Sequence, residues 1–451
     1  MSVVPSSPPG TAPASGRLHG STSTEPTGRS AWPSFGASSR PLATIGRRFA
    51  VPLLFAALAL AFVGSALLPG RALLPIDNLF QFPPWRAYAD DFGVEIPHNP
   101  LISDAILQNY SWKWLARESL ARGELPLWNP YILSGQPFMA AGQNGALYPL
   151  GILFYVLPLA SAYGWFIALH LWLGALFAYL FARTLGANPL GGVVAGVTFG
   201  FSGYLVVKIL WPMVVSTAIW LPALLTIVEL IVRQSAGAPW PARRVPLPLL
   251  VALGALVVGL QFLAGHLEMS LYLLLTAGLY TALRLVGRLR AVGLWRTFVA
   301  GLAALMAVAL GTGLAAILLV PFSEVIGANV RTGWSDYEET VGYALPRERA
   351  IAWLMPDYFG NPTHHTYVDV FGGETRPVEH QRPNGELRTD TEWGGHNYVE
   401  GTAYVGVLPL LLALVALARR PTGGAAALGL VAVISVLFAF GTPLYAVLFY
   451  G

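Results

Sequence analysis

The 451-residue chain has no cysteine, which excludes a disulfide framework, a thiolate metal site and a cysteine nucleophile. Charge is scarce as well. Only 11% of residues are Asp, Glu, Lys or Arg, where a soluble domain carries about a quarter. Lysine is nearly missing, with Lys113 and Lys208 alone beside 25 arginines. No GxxxxGK[ST], GxSxG or HExxH stretch occurs, so phosphate-loop ATP use and serine or zincin hydrolysis have no support. What fills the chain is apolar: 55% of residues are hydrophobic and the mean hydropathy is +0.57. That excludes a soluble multidomain enzyme and a disordered protein, and leaves an integral membrane protein. The 14 Trp, 18 Tyr and 22 Phe suit rings seated at bilayer interfaces.

Residues 1–46 hold 10 Ser, 7 Pro, 6 Gly and 5 Thr, too little apolar surface to offset the entropy of ordering. They read as a disordered cytoplasmic tail before a bundle over 47–451. Arg47 and Arg48 precede the apolar run Phe49 to Leu68. Its length and late start fit a retained first helix rather than a cleaved leader. Further helices are expected near 161–182, 189–207, 213–232, 246–264, 268–286, 297–320, 402–418 and 424–440. Residues 148–159 are too short to span and read as a re-entrant or interfacial piece. The expected fold is an all-α polytopic membrane protein of about nine transmembrane helices plus a re-entrant segment. The chain stops at Gly451 straight after LYAVLFYG, as a C-terminally truncated fragment would.

Basic residues in short loops set orientation. With the tail in the cytoplasm, Arg183, Arg233, Arg243, Arg244, Arg284, Arg288, Arg290, Arg296, Arg419 and Arg420 all fall on the cytoplasmic side, while the short outward turns near 208–212 and 265–267 hold one Lys and no Arg. The net charge of +4 is thus a topology signal and an attraction to anionic lipid, not a nucleic-acid footprint. The predicted location is the plasma (inner) membrane, multi-pass, N-terminus inside. Two large extracytoplasmic loops, 69–147 and 321–401, then carry 7 and 13 of the 23 acidic residues. Loops of that length are expected to fold as a cap over the bundle.

Two segments of the first loop share an Asp-x3-Gln pattern, Asp77 with Gln81 and Asp104 with Gln108. On an α-helix each pair shares a face. GELPLWNPYILSGQP follows, with Trp128 and Asn129, and then a Tyr-Pro-Leu re-entry. Later come FGFSGYLVVKILWP, IWLPAL, PDYFGNP and NYVEGTAYVGVLPLLL. In their order and spacing, over about residues 70–418, these stretches resemble the YfhO-like family of bacterial membrane proteins. Its members usually run longer than this chain. The resemblance implies a multi-spanning fold similar to C-type glycosyltransferases. Such enzymes move a sugar from a polyprenyl-phosphate carrier to an envelope polymer of the teichoic-acid kind, or to a lipid, on the outer face. It also implies an acidic residue of the first outer loop as base or metal-linked acid.

Sugar transfer of this kind needs a carboxylate to deprotonate the acceptor, cations for the leaving phosphate and aromatic surfaces for sugar and isoprenoid. Asp77 and Asp104 are the base candidates, or else caps of loop helices. Glu400 is a further acid, and Tyr404 matches the family's pattern beside it. For phosphate, Lys208 ends an outward-going helix, or it simply snorkels; Arg71, Arg331, Arg347 and Arg349 are loop alternatives. His266 and Glu268 sit at a tight outward turn, either as a site wall or as a turn that needs polar residues, and Gln261 lies seven residues before Glu268. The sequence fixes no cofactor. A divalent cation is compatible with this chemistry, and the second loop offers His364, His365, Asp369, Glu374, His380, Asp390, Glu392 and His396, at spacings that match no metal motif. Two other function classes stay open: a transporter or flippase for a lipid-linked envelope precursor, and a non-catalytic protein of envelope assembly. A transporter predicts charged or broken helices near the midplane.

Overall fold

A computed structural model of the chain describes residues 40–94, 99, 102–235, 245–328, 336–363, 366–369, 372–377, 380–381, 387–388, 398–419, 421 and 423–450. The chain divides into two units, Met1–Arg48 and Phe49–Gly451. In the first, residues 40–48 are helical backbone; the rest of the expected tail, 1–39, lies outside the described residues.

The second unit is mostly helical, and among its described residues six helices are long and apolar enough to cross a membrane. These are α1 (Phe49–Leu67), α2 (Leu159–Leu185), α3 (Pro189–Val206), α4 (Pro212–Ser235), and, after α5 (Leu247–Leu263), α6 (Leu267–Val286) and α7 (Leu294–Leu314). α5 has 17 residues and rises ~26 Å, just short of the ~30 Å hydrocarbon core. α8 (Val407–Ala418) and α9 (Gly423–Ala439) pass as an apolar pair but meet at 115°. Among the described residues this gives six candidate spans, or seven with the bent pair taken as one, beside an expectation of about nine. The span expected from 402 starts late because residues 402–406 are not helical and Gly406 sits at φ +96°. The 148–159 piece forms two short turns, Pro149–Ile152 and Leu153–Val156.

Local sequence explains the tight reversals. α2 ends on Gly186 in the left-handed region; Asn188 then caps α3 by accepting from the Gly191 N–H, and Pro189 takes the first helical position. Gly192, Gly196 and Gly200 recur every fourth residue along α3. A Cβ at Gly196 would stand 2.7 Å from the Ala175 carbonyl oxygen and one at Gly200 2.8 Å from the Ala175 Cβ. The small-residue stripe lets α3 lie directly on α2, as membrane helices need where van der Waals packing replaces a hydrophobic drive. α4 is 83% buried, against half or less for the other spans, so it is the hub on which α2, α5, α6 and α7 pack.

Successive spans joined by short links run in alternating directions. One end of the bundle gathers the turns 207–211 and 264–266; the other gathers Arg183, Arg233 and Arg284. We call them the loop end and the arginine end. A buried ion network staples α4 to α6 near the arginine end. Glu229 accepts from Arg284 Nε (2.8 Å) and Nη2 (2.7 Å), from Arg233 Nε (2.7 Å) and from the Tyr280 hydroxyl (2.9 Å). Four donors satisfy both carboxylate oxygens, which is what a fully buried carboxylate requires.

Candidate functional site

At the loop end the chain breaks its helices. α3 unwinds at Phe201, Ser202 caps the short helix Gly203–Val206, and turns carry the chain over 207–211 until Pro212 starts α4. This irregular segment is the wall between two cavities. On one side lies a polar cavity of about 320 Å³. Asp104, Gln108, Asn109 and Trp112 line it from the first loop, Lys208 and Trp211 from the broken segment, His266 from the α5–α6 turn, and Val399 and Glu400 from the second loop. Beyond the wall lies a cleft of about 460 Å³ with Asp77 and Asn99. Its other walls are more apolar than polar: Leu73, Leu74, Ile102, Val206, Ile209 and Leu210 line it beside Asn361, Thr363 and Tyr398.

The first-loop side of the polar cavity is built on a π-helix, Ala105–Tyr110, that runs into the helix Ser111–Ala121. Such wide turns often occur at functional sites because they re-aim side chains. Gln108 Nε2 donates to Asp104 Oδ1 at 3.1 Å, so the expected Asp-x3-Gln pairing is present here. The other Asp-x3-Gln segment behaves differently. Ile76–Gln81 is a 3-10 helix, in which residues three apart eclipse. Gln81 accordingly donates to Asn78 (2.6 Å) and not to Asp77, and Asn78 in turn holds the Asn99 carbonyl.

His266 caps α6: its Nδ1 accepts the Met269 N–H at 3.1 Å, which leaves Nε2 as the protonated nitrogen of the neutral ring. Burial holds its pKa below the usual histidine value, with Glu268 pulling the other way. Lys208 Nζ donates to the Val399 carbonyl (2.8 Å) and stands 3.9 Å over the Tyr204 ring. Burial pushes this ammonium down to about 8, and the Glu400 carboxylate opposes that shift. Lys208 thus reaches onto the second loop.

The turn bearing His266 is held by backbone contact. Gly265 lies at φ +92°, and a Cβ on it would come 2.7 Å from the Gly145 nitrogen; Gly145, at φ +58°, leaves a Cβ only 3.0 Å from the Ala264 oxygen. Two left-handed glycines thus let the first loop rest on the α5–α6 turn. Behind them, Lys113 is wholly buried. Its Nζ donates to the Asn144 carbonyl and lies 4.9 Å from the Phe154 ring. Asn144 clamps the loop by donating to Phe138 O and accepting from Ala146 N. Burial drives the Lys113 pKa down to about 7.

Several expected residues lie elsewhere. Trp128 and Asn129 form a two-residue antiparallel ladder with Gln136 and Pro137 and line neither cavity. Glu268 is exposed and accepts from the Tyr272 hydroxyl one turn on, as an i,i+4 pair does. Gln261 is buried between α5 and α6, donating to the Ser270 carbonyl. Tyr404 meets the bundle through its backbone, its carbonyl accepting from Gly203 N at 2.7 Å. Arg349 stacks on Phe359. Of the metal-ligand candidates, His364, His365, Asp390, Glu392 and His396 lie outside the described residues, and so does Arg331. Asp369 pairs with Arg376 at 3.1 Å. Among the described residues no three His, Asp or Glu side chains stand close enough to hold a metal ion.

Sequence reasoning missed Asp357, Asn361 and Tyr398. Asp357 Oδ1 accepts from the Tyr398 hydroxyl (2.8 Å) and from Asn361 Nδ2 (3.2 Å), which binds PDYFGNP to NYVEG along the apolar cleft. It also missed Lys113, although a lysine in a chain with two is a signal in itself.

No protein-family model matches the chain, and neither a curated protein nor a solved structure does.

Proposed function

We propose that the chain is a membrane glycosyltransferase that moves a sugar from a polyprenyl-phosphate carrier to an envelope acceptor at the loop end of the bundle. That is the activity implied by its resemblance to the YfhO-like family. One observation carries the reading: Asp104, Gln108, Lys208, His266 and Glu400, from four separate stretches of sequence, line one cavity. Next to it lies an apolar-walled cleft suited to the first isoprene units.

The chemistry assigns a role to each group. Asp104 accepts the proton of the acceptor hydroxyl, whose oxygen bonds to the anomeric carbon. The bond from that carbon to the phosphate oxygen breaks, and polyprenyl phosphate leaves with the electron pair. Charge grows on the phosphate, where a fixed cation and a fixed N–H stabilise it. Lys208 supplies the cation and His266 Nε2–H the neutral donor. Glu400 acts on Lys208, keeping the ammonium charged against burial. Gln108 orients Asp104 through their hydrogen bond.

Asp77 faces the apolar cleft, so the two Asp-x3-Gln segments have different duties in this account. Asp104→Asn and Asp77→Asn therefore separate the roles. With purified protein and polyprenyl-phosphate sugars in vesicles, Asp104→Asn loses transfer by about 10²–10⁴-fold, while Asp77→Asn keeps most of it. Undiminished transfer by the Asp104 variant refutes the assignment.

A further inference from the structure

The arginine end carries a second constellation, independent of the polar cavity. Among the described residues, the segments that join the helices at this end carry Arg183, Arg233, Arg284, Arg288, Arg290, Arg296 and Arg419 and no acidic residue. Glu229 is the carboxylate that faces them, and Arg233, Arg284 and Tyr280 already occupy both its oxygens. Arg288 lies in the same field. Burial lowers its pKa first, then the like charges of Arg284 and Arg233, with Glu229 alone opposing among the carboxylates. Three guanidiniums thus share one saturated carboxylate.

Below this cluster an apolar cavity of about 330 Å³ opens between α4, α6 and α7. Small residues keep it open: Ala277 and Gly278 on α6 face Gly301 and Ala304 on α7. No atom lies within 4 Å of where a Gly278 Cβ would stand. From Leu274 to Leu285 the cavity follows a twelve-residue stretch of α6, a rise of ~16 Å, which is the depth of one leaflet of a ~30 Å core. Arg288 follows Leu285 by three residues, one turn past the cavity's end.

We propose that this end of the bundle holds one anionic phospholipid, its phosphate met by Arg288 and the outward nitrogens of Arg233 and one acyl chain lying in the α4–α6–α7 groove. Charge complementarity selects the headgroup. Guanidiniums bind phosphate oxygens through paired N–H donors, and an excess of positive charge beside a bilayer draws anionic lipid. Groove length selects the chain. The site ties α4, α6 and α7 together where Glu229 already joins two of them.

Native mass spectrometry of the purified full chain tests this with phosphatidylglycerol, phosphatidylcholine and inorganic phosphate as probes. Wild type retains phosphatidylglycerol over phosphatidylcholine. Arg288→Gln weakens phosphatidylglycerol about fivefold, the factor expected for one basic group near an anionic surface, and leaves phosphatidylcholine unchanged. Gly278→Leu fills the groove and lowers retention of both lipids; Leu305→Trp fills it from α7 if that variant does not fold. Inorganic phosphate does not displace the lipid. Equal retention of the two lipids by wild type, displacement by phosphate, or unchanged phosphatidylglycerol in a folded groove variant each overturns the proposal.

Discussion

Lys113 offers a pH experiment whose sign follows from its surroundings. Its ammonium is buried under the first loop with one carbonyl partner and an aromatic face, and its pKa falls from 10.5 to about 7. A base whose folded pKa is depressed penalises the fold while it is protonated. Below pH 7 both the folded and unfolded forms hold the proton, and the penalty is whole, on the order of 5 kcal/mol at about 1.4 kcal/mol per unit. Above pH 7 the folded form releases the proton and the unfolded chain keeps it, so stability rises with pH. Between pH 6 and 8 this single group adds ~1 kcal/mol. Lys113→Met removes the penalty and leaves the Asn144 carbonyl without its donor, a loss of about 1–3 kcal/mol. The variant is therefore more stable than wild type at pH 6, and its advantage shrinks by ~1 kcal/mol at pH 8. Unfolding in detergent, followed by tryptophan fluorescence across this range, measures both. The difference between the two curves reports the loss of Lys113 together with the loss of its charge beside His170. Parallel curves, with one constant offset, would refute a buried lysine that titrates near neutrality.

Other expectations are simpler. Glu229→Gln leaves two guanidiniums facing a neutral amide and lowers stability by about 3–5 kcal/mol, read as a fall in the melting midpoint; a variant within error of wild type removes the staple from the account. Gly265→Ala drives a Cβ toward the Gly145 backbone in a left-handed conformation and costs about 1–3 kcal/mol, checked by the same melt; no change means the loop and turn do not touch. Orientation can be read by labelling, because the chain has no cysteine of its own. With the loop end outward, Gln108→Cys reacts with an impermeant maleimide in intact cells and Arg290→Cys only after permeabilisation; the reverse pattern turns the molecule over.

Much of the bundle was legible because apolar runs of bilayer length mark helices whatever they pack against. Leu159–Leu185 and Leu267–Val286 lie within about three residues of their expected bounds, inside the usual error of boundary reading. The count was less legible. Residues 402–406 are as apolar as a helix start, yet Gly406 and the hydrogen bond from Gly203 N to Tyr404 O hold them off the helix. The first loop shows where periodicity runs out. Asp77 and Asp104 share one pattern, but a 3-10 turn and a π turn aim their partners differently, and nothing in Asp-x3-Gln tells the two apart. Individually, Asp104, Lys208, His266 and Glu400 stood out as polar residues at membrane boundaries. Their common cavity depends on tertiary packing through Gly145, Gly265 and Val399, which no local pattern encodes. Glu229 is a lone acid within an apolar run, and Arg233 four residues on is the pairing signal the sequence offers for it.

Following the bond between sugar and carrier tests the central claim most directly. A polyprenyl-phosphate sugar labelled in both sugar and lipid, placed with the purified protein and an acceptor in vesicles, reports two fates at once. The account predicts sugar label on the acceptor and free polyprenyl phosphate in equal amounts, with both lost in Asp104→Asn. Intact labelled carrier arriving in the opposite leaflet, with no bond broken, would contradict it and make the protein a transporter.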